Sequence, residues 1–450
     1  MISLIQLTAI AAVGTIAGSL GGNDSGFLKP VKTIFVDNAY SATPVAFCLV
    51  TRGKKQYVAY YDANRQMTVA CRELDSNKWT YQRLDDYIGW DSHNSVTFAF
   101  DSKGYIHLSG NMHAVPLRYY RTTKPEDITT FVRVESMTGD GESHVTYPRF
   151  IAGPKGELLF SYRDGGSGNG NEIVNCYDVS TGKWARYIPK LLFDGKGERN
   201  AYYAGPIKDS RGFYNIAWVW RDNPDCTTNH DVSYAKSPNY RDGFQKSDGT
   251  PVELPLTLAN SEVIDPAPTG SGLLELGLSL DSHDRVMITY LKRDDKDKTQ
   301  IYTARREQSG WKIYRTTDWT DRWDPSGVGA IPRMIQSSPP QPWKRGKLFQ
   351  TFRNKYLGDS LQIRFMDEAT LKQTGKAVQL YPAEYTQPAE MHTEDWRVNI
   401  QTFGLETLKR DRRMWALRWE SAGQNRDLPR QCAPPPSRLE VVEMTVCEGE

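Results

Sequence analysis

WDSHNSVTFAFDSKGYIHLSGNMHAVPLRYYR, residues 90–121, reads as two strands joined by a tight turn at Asp101-Ser102-Lys103-Gly104. The strand on either side is rich in aromatic and β-branched residues, and the turn carries Asp, Ser and Gly. A histidine lies just beyond each free end: His93 precedes Asp101 by eight residues, and His113 follows Gly104 by nine. Antiparallel pairing across the turn brings both imidazoles to one end of the hairpin. Histidine titrates nearest neutrality, so such a pair suits proton transfer.

The same turn-then-strand unit recurs along the chain. RGKKQYVAYYD (52–62), DSKGYIHLSGN (101–111), GPKGELLFSYRD (153–164), DSRGFYNIAWVWRD (209–222), DSHDRVMITYLKRD (281–294), WKRGKLFQTFRN (343–354) and KRDRRMWALRWE (409–420) make seven. A polar turn opens each one, and Arg-Asp or a relative often closes it. Their spacing is that of propeller blades, and no long segment has helical periodicity. The expectation is an all-β, single-domain, seven-bladed β-propeller over 23–450. Residues 31–36 are expected to complete a blade begun at the other terminus and so close the ring.

The 450 residues carry a net charge of +2, which offers no polyanion-binding balance and argues against nucleic acid as a partner. Residues 4–17 are apolar and are followed by small residues, as in a secretory leader over 1–22, although no basic stretch precedes them. The expected location is therefore extracellular, with no membrane span and a monomeric form. Six cysteines fit an oxidising compartment, and Cys432–Cys447 is the expected disulfide. None stands in a CxxC arrangement, so no zinc site of the usual spacing is expected. Asn23-Asp24-Ser25 is the single glycosylation sequon.

The repeat supplies a register. Asn111 and Arg163 each lie seven residues after a turn glycine, Gly104 and Gly156, and leave their blades at the end that carries the histidines. Tyr147 is expected beside Arg163, and Arg221 joins them from the next blade. Taken singly, each has a plainer role. Arg163 reads as a blade-edge ion pair, because Arg-Asp recurs at Arg163, Arg221 and Arg293. Tyr147 reads as a packed strand residue, and His107 as a packing histidine. The convergence of His93, His113, Tyr147 and Arg163 carries the functional reading. Asn94, Asn111, Arg221 and Tyr203 are the candidate substrate-binding residues around them.

An arginine, two imidazoles and a phenol suit holding an anion and moving a proton beside it. β-Elimination from a uronate needs this: the cation stabilises the enolate-like intermediate, a base takes the C5 proton, and an acid protonates O4. In a glucuronate H5 and O4 share a ring face, so one residue can serve as base and then as acid. A glycosidase would need a carboxyl pair instead, for which Asp91, Glu142, Asp164 and Asp222 are candidates.

Asp91-Ser92-His93-Asn94, the turn with Tyr105-Ile106-His107, Gly110-Asn111-Met112-His113, Pro116-Leu117-Arg118-Tyr119, and Tyr147 sixteen residues before Arg163 resemble the propeller polysaccharide lyases. These comprise ulvan lyases and enzymes that remove terminal rhamnose from glucuronate in gum arabic side chains. The resemblance is strongest over 90–222. It implies elimination without a catalytic cofactor, with Arg163 neutralising the carboxylate and His93, His113 and Tyr147 handling the proton. His113 or Tyr147 is then base and acid, with His93 on the carboxylate or the leaving oxygen. It also implies an acidic polysaccharide substrate with rhamnose–glucuronate linkages and, in some relatives, a structural cation such as calcium, for which the sequence shows no ligand cluster. The rhamnosyl-glucuronate cap is the favoured substrate. Ulvan cleavage, rhamnoside hydrolysis and non-catalytic carbohydrate binding are the alternatives.

Overall fold

A computed structural model describes residues 26–403 and 413–447. The expected leader, the Asn23 sequon and residues 409–412 of the seventh repeat lie outside these. The described chain forms seven antiparallel sheets in ring order. Blades 1 to 5 are four-stranded meanders over 48–87, 96–133, 145–186, 200–265 and 274–315. Blade 6 spans 335–379 and adds the short strand Gln341–Pro342. Blade 7 combines three strands within 397–446 with Leu28–Ala39. Helix among the described residues is confined to Ala383–Thr386 and four short 3-10 turns.

Each of the first six repeats proves to be a turn and the strand that lies second in its sheet, and the described part of the seventh is likewise the second strand of its sheet. These strands are Lys55–Tyr61, Ile106–Gly110, Leu158–Gly166, Tyr214–Arg221, Val286–Arg293, Lys347–Asn354 and Arg413–Ser421. They are buried along both faces, as in YNIAWVWR of Tyr214–Arg221, because neighbouring blades cover each side. The turn has a local cause. Asp101 accepts the N–H groups of Lys103 and Tyr105, both at 2.9 Å. Asp281 repeats this with His283 at 3.0 Å and Arg285 at 2.9 Å. A buried carboxylate thus satisfies the backbone donors that a tight turn leaves unpaired.

The core lies between blades. Tyr57 of blade 1 meets Phe100 of blade 2 with ring centroids 5.0 Å apart, and Phe47 meets Trp419 of blade 7 at 4.8 Å. His107 is fully buried, hydrogen-bonds Tyr119 at 2.6 Å, and packs edge-on against Tyr177 of blade 3 at 4.5 Å. That is the packing role its in-strand position suggested. The ring closes where Leu28–Ala39 pairs with Ser437–Val446, from Leu28 opposite Val446 to Ala39 opposite Ser437. The expected closing strand is therefore present and longer than 31–36.

The expected Cys432–Cys447 disulfide is absent, and all six cysteines are free thiols. Cys432 precedes the strand Ser437–Val446 and Cys447 follows it. Ten extended residues span roughly 33 Å, whereas a disulfide needs Cα atoms within about 7 Å. The Cys447 thiol instead donates to the Gly26 carbonyl at 3.0 Å. Protein unfolded without reductant should therefore titrate for the same number of thiols as reduced protein. Two fewer would restore the disulfide.

Candidate active site

His93 and His113 emerge from adjoining loops at one end of blade 2, where Val96 opposes Gly110. Their rings lie 4.3 Å apart. Asp91 joins them: Oδ1 accepts the His93 backbone N–H at 2.8 Å and contacts His93 Nδ1 at 2.7 Å, while Oδ2 contacts His113 Nδ1 at 2.5 Å. With each Nδ1 donating to Asp91, each Nε2 is left for a ligand. Asp427, from the loop after the second strand of blade 7, reaches His93 Nδ1 at 3.2 Å. Burial opposes charge on His93, but Tyr147 and hydrogen bonds to Asp427 and Asp91 outweigh it and raise its pKa well above the ordinary value. Burial likewise opposes charge on Asp91, and the two histidines hold its carboxyl far below the usual range.

Asn111 serves the scaffold and not the ligand, contrary to expectation. Its backbone is left-handed, with φ of 58°. Its amide donates to Asp86 Oδ1 at 2.5 Å and to the Tyr87 carbonyl at 2.9 Å, so both side-chain donors are used. Arg118 meets the same Asp86 at 2.5 Å. This buried cluster sets the path of the chain into His113. The Asn94 carbonyl accepts from Tyr61 at 2.7 Å, and its side-chain oxygen is buried without a partner.

Tyr147 occupies a bulge between Thr146 and Arg149, and its φ is 55°. A left-handed aromatic residue costs on the order of 1–3 kcal/mol and persists where its surroundings impose it. The bulge re-aims its side chain. The ring lies 6.0 Å from that of His93, 6.4 Å from that of His113, and 5.0 Å from Arg163 Cζ.

Arg163 is buried, yet it has no ion pair among the described residues. Nε donates to the Gly165 carbonyl at 3.3 Å, Nη1 to the Tyr202 hydroxyl at 3.4 Å, and Nη2 has no partner. Arg221 donates to Asn229 at 2.7 Å and to the same Tyr202 hydroxyl at 3.0 Å. The equivalent Arg293 pairs with Asp297 and Asp324, both at 2.8 Å, and Arg353 pairs with Asp359. The blade-edge ion pair is therefore correct for blades 5 and 6 and wrong for blades 3 and 4.

Tyr203 was expected at the site, and Tyr202 stands there instead. Tyr203 bonds Ser161 at 2.6 Å, and the Arg149 guanidinium lies 4.0 Å from its ring centroid, within a buried group that includes Glu172. The Tyr202 ring lies 6.3 Å from that of Tyr147. Burial opposes its ionisation, but Arg221 and Arg163 prevail and lower its pKa below the ordinary value. Asp427 and the bridging role of Asp91 also escaped the sequence.

Three of the four candidate glycosidase carboxyls are engaged elsewhere. Asp91 holds the histidines, Glu142 accepts the Met137 and Thr138 N–H groups at 3.1 and 2.6 Å, and Asp222 meets Arg199 at 2.9 Å and His230 at 3.1 Å. Burial raises the pKa of the fourth, Asp164. Two groups among the described residues have metal-ligand proximity: Asp91, His93, His113 and Asp427; and Asp281, His283 and Glu368. Each includes an imidazole, and calcium takes an all-oxygen shell. In the second group, Arg285 occupies Asp281 and Ser282 occupies Glu368. Neither fits calcium.

An alignment over 142 positions, covering 29% of the chain, is 32% identical to the ulvan lyase, short isoform, of Alteromonas sp. (strain LOR). The chain spans only 26% of that protein's length. Among solved structures, polysaccharide lyase Uly1 superposes with a TM-score of 0.61 at 14% identity, covering 96% of this chain and 99% of that one. A PL25 ulvan lyase bound to -[GlcA(1-4)Rha3S]- gives 0.63 at 13% identity, covering 91% and 95%. At such identities the shared property is the fold. The model of the BNR repeat-containing family matches residues 55–319, more than half of the chain, and the chain belongs to that family.

Proposed function

We propose that this protein is a secreted polysaccharide lyase that cleaves the rhamnosyl-α-1,4-glucuronate bond by β-elimination. Terminal rhamnose is released, and a 4,5-unsaturated uronate remains. One observation carries the reading: Arg163 is buried with an unpaired guanidinium nitrogen beside two carboxylate-bound imidazoles. A buried cation without a counterion is costly, and an anionic ligand relieves that cost.

The uronate carboxylate lies against Arg163 and Arg221, with the His93 imidazolium donating from Nε2. His113 Nε2, its ring oriented by Asp91, takes the C5 proton. The electron pair forms the C4–C5 double bond, the C4–O4 bond breaks, and the Tyr147 hydroxyl protonates O4. Proton removal from carbon is feasible because the cations stabilise the enolate-like charge as it develops. The strained backbone at Tyr147 keeps the phenol in place.

Ulvan cleavage is the second reading, favoured by the relative named as an ulvan lyase. Gum arabic and ulvan, each incubated with the protein, separate the possibilities through the ultraviolet absorbance of the unsaturated uronate and free rhamnose. Absorbance with rhamnose from gum arabic supports the proposal. Absorbance from ulvan alone transfers the activity to that polymer, and rhamnose without absorbance indicates a hydrolase. Binding with neither signal leaves only a carbohydrate-binding propeller.

Arg163→Ala should reduce kcat/KM about 10²–10³-fold, the usual loss for a donor to developing charge. Arg293→Ala, whose ion pairs lie in blade 5, should leave turnover intact. Equal effects of the two changes would refute the role of the unpaired guanidinium.

The pKa of His93 is raised in the folded protein, so its imidazolium is present below that raised value and is lost as pH rises through it. Activity should fall on that alkaline side. His93→Gln should abolish this limb of the kcat/KM profile; an unchanged limb would exclude His93 as its source.

A further inference from the structure

We infer that Asp427 is a positioning residue for His93, delivered by a two-loop clamp that spans the mouth of the propeller. This rests on the elimination reading of the site. The carboxylate is 334 residues from His93 along the chain, and it makes four contacts at the site. Oδ2 meets His93 Nδ1 at 3.2 Å and accepts the Ala330 N–H at 2.9 Å. Oδ1 accepts the Ser92 N–H at 3.2 Å and the Ser92 hydroxyl at 3.4 Å. One side chain thus fastens the His93 loop of blade 2 to the blade 7 loop that bears it and to the loop between blades 5 and 6.

The clamp is built at evident local cost. Arg426 and Asp427 are consecutive left-handed residues, with φ of 51° and 63°. Such strain persists only where surrounding contacts impose it, and it gathers at functional sites. Here those contacts come from the loop between blades 5 and 6. The Arg426 N–H donates to the Ala330 carbonyl at 3.2 Å, and its guanidinium donates to the Val328 carbonyl at 3.3 Å. Gly329 lets the two loops touch: a Cβ there would lie 2.7 Å from the Arg426 carbonyl oxygen. The same loop continues to blade 4, where Gly327 donates to Asp225 at 2.9 Å, four residues beyond Arg221. The clamp therefore links the arginine side of the site to the histidine side.

His93 lies between charges of both signs. Asp91 faces it from its own loop, Asp427 from blade 7, His113 from the neighbouring loop, and Tyr147 from blade 3 with Arg163 behind it. Asp91 is shared with His113, whereas Asp427 touches only His93 of the two. Removing Asp427 leaves one carboxylate to hold two imidazoles. His93 then loses one of the groups that favour its charge and one of the two carboxylate contacts that orient its ring.

Asp427→Asn removes the charge but keeps one acceptor oxygen, which can serve Ser92, while the Arg426 N–H still holds the second loop through the Ala330 carbonyl. NMR titration of the histidine rings should show the His93 pKa lowered by roughly one unit. With whichever of gum arabic and ulvan is the substrate, kcat should fall about tenfold with KM little changed, and the alkaline limb of kcat should move to lower pH. Asp427→Glu should restore part of both. If Asp427→Asn does not fold, Arg426→Ala loosens the clamp with the carboxylate retained, and a smaller drop in the His93 pKa is expected. An unchanged His93 pKa in the folded variant overturns the inference. The NMR readout needs no substrate, so it stands even if neither polysaccharide is cleaved, a result that would count against the lyase reading alone.

Discussion

The pairing of Leu28–Ala39 with Ser437–Val446 is the constraint on which the ring depends. Each blade buries both faces against neighbours, so an open ring would expose the faces of two blades together with a sheet edge. Closure places Trp419, Leu439 and Val441 against Phe47 and the Tyr60–Tyr61 pair of blade 1. It also has a chemical consequence. The loop bearing Asp427 is strung between two hydrogen-bonded strands of the closing blade, Arg413–Ser421 and Ser437–Val446. The contact that completes the histidine cluster therefore comes from the element that completes the fold.

Within the mouth, charge is arranged in two groups. Asp91 and Asp427 hold the Nδ1 atoms of the imidazoles, and Arg163 and Arg221 gather around Tyr202. The carboxylates satisfy the histidines and leave the arginines unmatched. Donors of the arginine group thus remain without a carboxylate partner among the described residues. Preorganised donors of this kind require no reorientation as charge develops. The strained backbone at Tyr147 and the unpaired Nη2 of Arg163 are local costs that the hydrophobic contacts between blades can sustain.

The fold was legible because its signal is local and repeated. A polar turn followed by an apolar strand can be read without any tertiary knowledge, and seven copies imply the ring; in three of them a turn aspartate, Asp101, Asp209 or Asp281, accepts from its own backbone. His93, His113, Tyr147 and Arg163 were legible for the same reason, since strand register fixes which end of a hairpin a residue leaves. The misses arise where register fails or contact is distant. Tyr202 and Tyr203 differ by one step of strand alternation, near a bulge at Gly205-Pro206 that upsets counting by two. Asn111 has the right position, but Asp86 from the preceding blade consumes its donors. Asp427 reaches His93 across the closed ring, and no local pattern announces it.

The recurring Arg-Asp dipeptide shows how one sequence motif can have opposite meanings. In blade 5 the arginine finds carboxylates in adjacent loops, Asp297 and Asp324, and in blade 6 it finds Asp359. In blade 4 the adjacent Asp222 turns to Arg199 and His230 and leaves Arg221 to Tyr202. In blade 3, Asp164 forms no ion pair with Arg163. The arginines are equivalent in register, so the strand position does not decide their role. The loops do, by providing or diverting a counterion. Two neighbouring blades divert theirs, and Arg163 and Arg221 are left without a carboxylate partner among the described residues, unlike the arginines of the otherwise equivalent repeats.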